Sequence, residues 1–79
     1  MKATVYVRLK GEVLDPQGEA VRRALLDLGL AGIRGVRIGK LIEIELEGGD
    51  AEAAEKQLAK AADALLSNPV TEDYEVVVR

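Results

Sequence analysis

Residues 42–47 (IEIELE) and the GGD run at 48–50 decide the fold of this chain. Apolar and acidic side chains alternate in the first stretch, which is typical of a β-strand with one buried face. The two glycines end that strand, and Asp50 can cap the free amides at the start of a helix through about Leu66. The apolar positions of that helix follow helical spacing: Ala51, Ala54, Leu58, Ala61 and Leu65.

A similar strand and helix precede this unit. Residues 3–9 alternate between apolar and polar side chains and are predicted to form a strand. Asp15 can cap the amide of residue 17 or 18, and Pro16 suits the first helical position because its missing donor would be unpaired there. Gly29 is expected to end this helix. Its predicted buried face comprises Val21, Ala24, Leu25 and Leu28.

Two further strands complete the pattern. Residues 36–38 are predicted to form a short strand that a tight hairpin near Gly39 and Lys40 joins to residues 42–47, and residues 74–78 are the last strand. The order β-α-β-β-α-β predicts an α+β, two-layer ferredoxin-like fold, with strand order 4-1-3-2 and both helices on one face. Residues 1–79 form a single domain in this prediction.

The amino-acid composition argues against several classes of function. The chain has no histidine and no cysteine, so the usual general base, covalent nucleophile and zinc ligands are missing. A net charge of −3 and two aromatic residues argue against nucleic-acid binding. No apolar run approaches the roughly 20 residues of a membrane helix, and the beginning of the chain alternates like a strand. We therefore expect a cytoplasmic binding or scaffolding protein without catalytic residues or a metal site.

Self-association is expected for a chain of this size. A domain this small hides only about 60% of its extended surface on folding, and disulfides, metals or a partner subunit usually compensate. The composition excludes disulfides and argues against a metal, which leaves a partner. The sheet face away from the helices, where Tyr6 and Val77 are expected to point, or an edge strand could accept a second copy. An idealised monomer remains the alternative.

Two local features exceed what the fold requires. Gly18 lies in the first turn of a helix, where glycine costs up to about 1 kcal/mol relative to alanine, so either another backbone approaches it or the helix start is loose. Arg37 and Lys40 flank Gly39 and could meet a phosphate or an acidic partner, although solvated charges on an edge hairpin are the simpler explanation. By its chemistry alone, the polar stretch before the last strand is an ordinary loop.

Three blocks of the sequence closely resemble one family when they are taken together. They are residues 13–18 (VLDPQG), 36–40 (VRIGK) and 65–74 (LLSNPVTEDY). The family is PurS, the small subunit of bacterial and archaeal phosphoribosylformylglycinamidine synthase in purine biosynthesis, and the likeness covers essentially the whole chain. Ser67 and Thr71 stand where alanine and isoleucine are more frequent in the family.

The resemblance implies a dimeric, non-catalytic subunit that bridges a PurL synthetase and a PurQ glutaminase and assists the passage of ammonia between them. It also implies that this chain binds no cofactor alone, whereas the complex uses ATP, ADP and Mg²⁺ through the synthetase. We expect the partner-binding residues to lie in the three blocks: Asp15, Pro16, Gln17, Gly18, Arg37, Gly39, Lys40, Asn68, Glu72, Asp73 and Tyr74.

Two other functions remain open on the sequence. Ferredoxin-like sheets also pair into regulatory dimers that sense small molecules. An acylphosphatase-like enzyme has the same fold, but it needs an arginine-lined phosphate loop and a catalytic asparagine. Asn68, just before a proline at a helix end, is badly placed for that role.

Overall fold

The computed structural model describes all 79 residues and confirms the α+β fold class. Three strands form one antiparallel sheet, and two helices occur between them. No helix is long and apolar enough to span a membrane. In chain order, the elements are β1 (Lys2–Leu9), α1 (Pro16–Asp27), β2 (Lys40–Glu45), α2 (Ala51–Ala61) with a π-helical turn (Ala62–Leu66), and β3 (Glu72–Val78).

The sheet has β1 at its centre, in the order β2-β1-β3. Val5 pairs with Ile42 on one side and Val76 on the other, so these three side chains share the face covered by α2. Val5 and Val7 are fully buried there. Tyr6 and Val77 lie on the opposite face by the same register, as the alternation predicted. In the predicted order, the first strand likewise lies between the third strand and the last strand, so this part of the prediction is confirmed.

Both predicted helix starts are confirmed. Asp15 accepts a hydrogen bond from the Gly18 amide at 2.8 Å, and Asp50 accepts one from the Ala53 amide at 3.1 Å. Each cap satisfies an amide that has no partner within its helix. Gly29, with a φ of +94°, follows α1 and allows the chain to turn away, as expected.

The predicted apolar face of α2 is correct at Ala54 and Leu58 but wrong at Ala51, which is exposed, and at its end. Leu65 is 82% exposed, whereas Ala62 is fully buried and Leu66 contacts the core. The π turn is the reason, because its wider turn moves the buried face forward by one residue. The prediction assumed a uniform α-helical spacing.

The predicted strand at residues 36–38 and the hairpin at Gly39 and Lys40 are wrong for this chain. Lys40 pairs with Val7, and the Arg37 side chain donates to the Lys10 carbonyl, so the chain runs on in one direction beside β1. A two-residue hairpin needs positive φ at its turn. The positive-φ glycines are elsewhere, at 29, 32 and 48.

The expected packing of α1 on the sheet is also absent within this chain. We call residues 16–38 the arm: α1 and the segment that returns along it to β2. α1 makes no substantial contact with the sheet or with α2, and Leu28 is 79% exposed. The radius of gyration is 15.9 Å, whereas a compact domain of this length has about 12 Å. The apolar face of α1 therefore lies largely outside the core of its own chain.

Candidate functional site

The three blocks that carry the predicted site residues meet at one end of the sheet, around Lys10. The Lys10 carbonyl accepts a hydrogen bond from Arg37 Nη2 at 2.8 Å. Its backbone amide donates to the Thr71 carbonyl at 2.8 Å, and its ammonium lies 3.5 Å from Asp73 Oδ1. Lys10 was not among the predicted residues, because nothing in its local sequence distinguishes it from other charged residues at strand ends.

Asp15 fastens the start of the arm to its end. One carboxylate oxygen accepts from the Gly18 amide, and the other accepts from the Ile38 amide at 2.7 Å. The hydrogen bond from Ile38, followed by that from Gly18, holds the pKa of the Asp15 carboxyl below its usual value. The ionised carboxylate therefore acts as a clamp between two segments that are far apart in sequence.

Gly18 lies against another backbone, which resolves the alternative left open by the sequence. A Cβ atom at this position would collide with the Val36 carbonyl oxygen. Gly39 is similarly restricted, because a Cβ there would lie 2.5 Å from the Val7 carbonyl oxygen. Both glycines therefore permit close backbone contacts within the chain.

The other predicted residues of the first two blocks are more accessible. Pro16 occupies the first turn of α1, and Gln17 is exposed. The Lys40 side chain is 58% exposed, and its ammonium lies 3.9 Å from Glu72 Oε2, which is the loosest ion pair in the chain. Its charge remains largely available to a partner.

The third block folds into a turn with its own hydrogen bonds. Asn68 donates its backbone amide to Glu72 Oε1 at 2.7 Å and accepts from the Val70 amide at 3.0 Å. The Tyr74 hydroxyl donates to Asp63 Oδ2 at 3.3 Å. Burial, together with the Asp63 carboxylate, raises the pKa of Tyr74. The predicted loop is thus a turn held by its own hydrogen bonds.

Neither the turn nor the clamp presents a reactive arrangement. No three acidic side chains converge in a geometry that could hold a metal ion. The carboxylates that carry lowered pKa values accept hydrogen bonds from backbone amides or from an arginine, which favours the ionised form rather than a proton-exchanging one. The site is a set of structured surfaces suited to recognition.

Comparison with known proteins gives one consistent family. The sequence model of the PurS family of phosphoribosylformylglycinamidine (FGAM) synthase matches residues 2–79. The PurS subunit of Synechocystis is 49% identical over 70 residues, which cover 89% of this chain and 70% of that protein.

Solved structures agree with the sequence comparison. The crystal structure of Methanocaldococcus jannaschii PurS superposes with a TM-score of 0.89 at 38% identity and covers 99% of this chain and 94% of that one. A chain of the PurLQS structure from Thermotoga maritima gives a TM-score of 0.86 at 39% identity and covers 96% of this chain and 93% of that one.

Proposed function

Since this chain belongs to the PurS family of FGAM synthase subunits, we propose that it is a non-catalytic bridge between a PurL-type synthetase and a PurQ-type glutaminase. The observation that carries the proposal is the near-complete match to a chain of a PurLQS assembly. In this role the chain holds the two enzymes together in purine biosynthesis and assists the transfer of ammonia from one to the other.

The chemistry of the chain supports a role in positioning. Without histidine or cysteine it has no side chain that exchanges protons near neutral pH at its ordinary pKa and no thiolate nucleophile. Ammonia that escapes into water is protonated and diluted, so holding two active sites in register is itself a large contribution. ATP, ADP and Mg²⁺ belong to the synthetase in this proposal, the chain binds no cofactor alone, and the complex works in the cytoplasm.

The exposed surface of the arm is evidence for self-association. The chain exposes 5911 Å² of surface, whereas a compact protein of its mass exposes about 4,700 Å². On the sheet, Ile42 and Ile44 point to the core side but are only half-buried, because α2 packs on β3 and nothing of this chain covers β2. The apolar side chains of α1 lack a cover as well, among them Leu28.

These two uncovered surfaces fit each other in a dimer. We infer that the arm of each copy lies over the β2 strand of the other, with α1 against Ile42 and Ile44. Residues 36–38 would then add the fourth strand beside the partner's β2, where the predicted strand order puts it. Both copies bury their apolar side chains by the same contact, as a two-fold dimer requires.

The predicted site residues divide between two roles in this proposal. The base of the arm is held by contacts within the chain that involve Asp15, Gly18 and Gly39. These residues affect partner binding through the conformation of that base. The more accessible groups contact the enzymes directly: Pro16, Gln17, Arg37, Lys40, Asn68, Asp73 and Tyr74. Glu72, whose side chain is only 17% exposed, accepts the hydrogen bond from Asn68 and so acts on partners through the shape of the turn.

Reconstitution tests the bridging role. The synthetase and glutaminase subunits are assayed for FGAM formation with and without this chain, once with glutamine and once with excess ammonium salt. We expect omission of the chain to abolish the glutamine-dependent rate, while ammonia restores part of the synthesis because it bypasses the transfer. An unchanged glutamine-dependent rate without the chain would overturn the bridging role.

A further inference from the structure

A groove crosses the end of the sheet beside the base of the arm. It has a volume of about 540 Å³ and lies between the end of β1 and the extended segment 37–41. The side chains that matter for its chemistry are those of Tyr6, Arg8, Arg37 and Leu41. We call this surface the basic groove.

The charge of the basic groove opposes that of the chain as a whole. Two arginines line it, Arg8 and Arg37, although the chain carries a net charge of −3. Lys40 pairs with Val7, so its side chain lies on the opposite face of the sheet, toward Glu72. Arg8 and Arg37 take part in none of the ion pairs within the chain. The Arg8 guanidinium instead lies 5.7 Å from the centre of the Tyr6 ring, an arrangement that leaves its donors free.

Apolar side chains surround these charges. Leu41 is 57% exposed and Ile38 is 38% exposed, and Tyr6 is half-buried on the open face of the sheet. Arginine and aromatic side chains beside an exposed leucine are typical of the centre of protein interfaces. A guanidinium also offers paired donors that match the two oxygens of a carboxylate.

The geometry points to an acidic segment of a partner subunit as the occupant of the basic groove, with carboxylates on Arg8 and Arg37 and an apolar side chain on Leu41. This inference rests on the proposed bridging function. A free phosphate or nucleotide fits less well, because the groove is lined by strand and extended segment, and no helix N-terminus directs amides into it. An exposed leucine contributes nothing to a phosphate.

Charge reversal at Arg8 tests the assignment, because this residue is outside the Asp15 clamp and exposed. Affinity is measured separately for the synthetase and glutaminase subunits by calorimetry at low and moderate salt. We expect Arg8→Glu to weaken binding of one of them by about tenfold or more and to flatten its salt dependence. The matched control is Lys56→Glu on the exposed side of α2, which makes the same change of charge and should keep both affinities within about twofold. Arg37→Glu provides a second reversal in the groove.

Three outcomes would overturn the inference. If wild-type chain binds its partners and both groove variants bind them equally well, the groove is not the contact, although the bridging function survives. If pyrophosphate shifts the amide resonances of Gly39 and Leu41 saturably below millimolar concentration, the groove is a small-anion site. If wild-type chain binds neither subunit, the bridging function itself fails and the groove loses its partner.

Discussion

The sheet with α2 and the arm differ in where they place their apolar side chains. In the sheet, Val5 and Val7 are fully buried and contact Ala62. In the arm, Gly18 is the one buried residue of α1, and Leu28 is 79% exposed. Both regions show equally clear helical or strand periodicity in the sequence. An amphipathic pattern therefore indicates that a face will be buried, but it does not indicate whether the same chain or a partner buries it.

The largest change in stability is expected from replacing a valine by aspartate, and it should differ between the two regions. Val5→Asp places an uncompensated charge in the core at a cost of roughly 3–5 kcal/mol, which matches the whole stability that a core of this size supplies. We expect loss of the cooperative thermal transition in circular dichroism. Val21→Asp, at a position 38% exposed in the arm, should keep that transition. If both variants melted alike, the distinction between the two regions would be wrong.

A substitution at the end of α1 tests what the arm does. Burying the exposed part of Leu28 in a partner contributes about 2 kcal/mol, so Leu28→Glu should weaken self-association by about tenfold or more in sedimentation experiments. Leu65→Glu is the matched control, because Leu65 is 82% exposed but lies in the π turn away from the arm. Equal association of wild type and Leu28→Glu would contradict the account.

Gly18 offers a smaller and more local test. In most helices a glycine-to-alanine change stabilises by about 1 kcal/mol, but here the new Cβ collides with the Val36 carbonyl oxygen. We therefore expect Gly18→Ala to lower the melting temperature by several degrees and to shift the Ile38 amide resonance. Gly35→Ala has open space around its Cβ and should change neither. A stabilised Gly18→Ala variant would show that the arm base is loose.

The smallest expected effect is on the pH dependence of stability, and it arises from Glu19 in the arm. Hydrogen bonding and charge from Arg22 lower the pKa of Glu19 from 4.5 to about 2. Because the folded-state pKa is depressed, this contribution to stability is present above pH 4.5 and is lost as the pH falls toward 2. Glu19→Gln should remove that part of the acid dependence while changing the neutral melting temperature by at most a few degrees. If the melting temperatures of wild type and variant changed with pH in parallel, this role of Glu19 would be contradicted.

The sequence allowed three of the four predicted strands, both helix caps and the fold class to be predicted correctly, because these depend on local alternation and on residues such as Asp15 and Asp50. It did not reveal that residues 36–38 continue in line with β2, since the hydrogen bond from Ile38 to Asp15 joins segments 23 positions apart. The π turn also depends on a distant partner, the sheet that buries Ala62. Contacts between residues far apart in the sequence therefore determine the path of residues 36–38 and the buried face at the end of the second helix, which the local pattern did not specify.

The candidate site followed the same rule. The three blocks were predicted as separate segments, and each of them lies near Lys10 in the folded chain. The intramolecular role of Gly18 was one of two alternatives that the sequence left open. The role of Arg8 in the basic groove was not predicted, because a strand residue of this kind looks like any solvated charge until Tyr6 and Arg37 are placed beside it.

Nuclear Overhauser measurements on mixed copies test most directly whether a second copy covers the arm. One sample of the chain carries labelled isoleucine methyl groups and the other carries labelled leucine methyl groups, so any contact between the two labels joins different chains. If the arm of one copy lies over β2 of the other, we expect cross-peaks from Leu25 or Leu28 to Ile42 or Ile44. Assigned spectra without these cross-peaks, from a species that sediments at the 8.5 kDa of one chain, would contradict it.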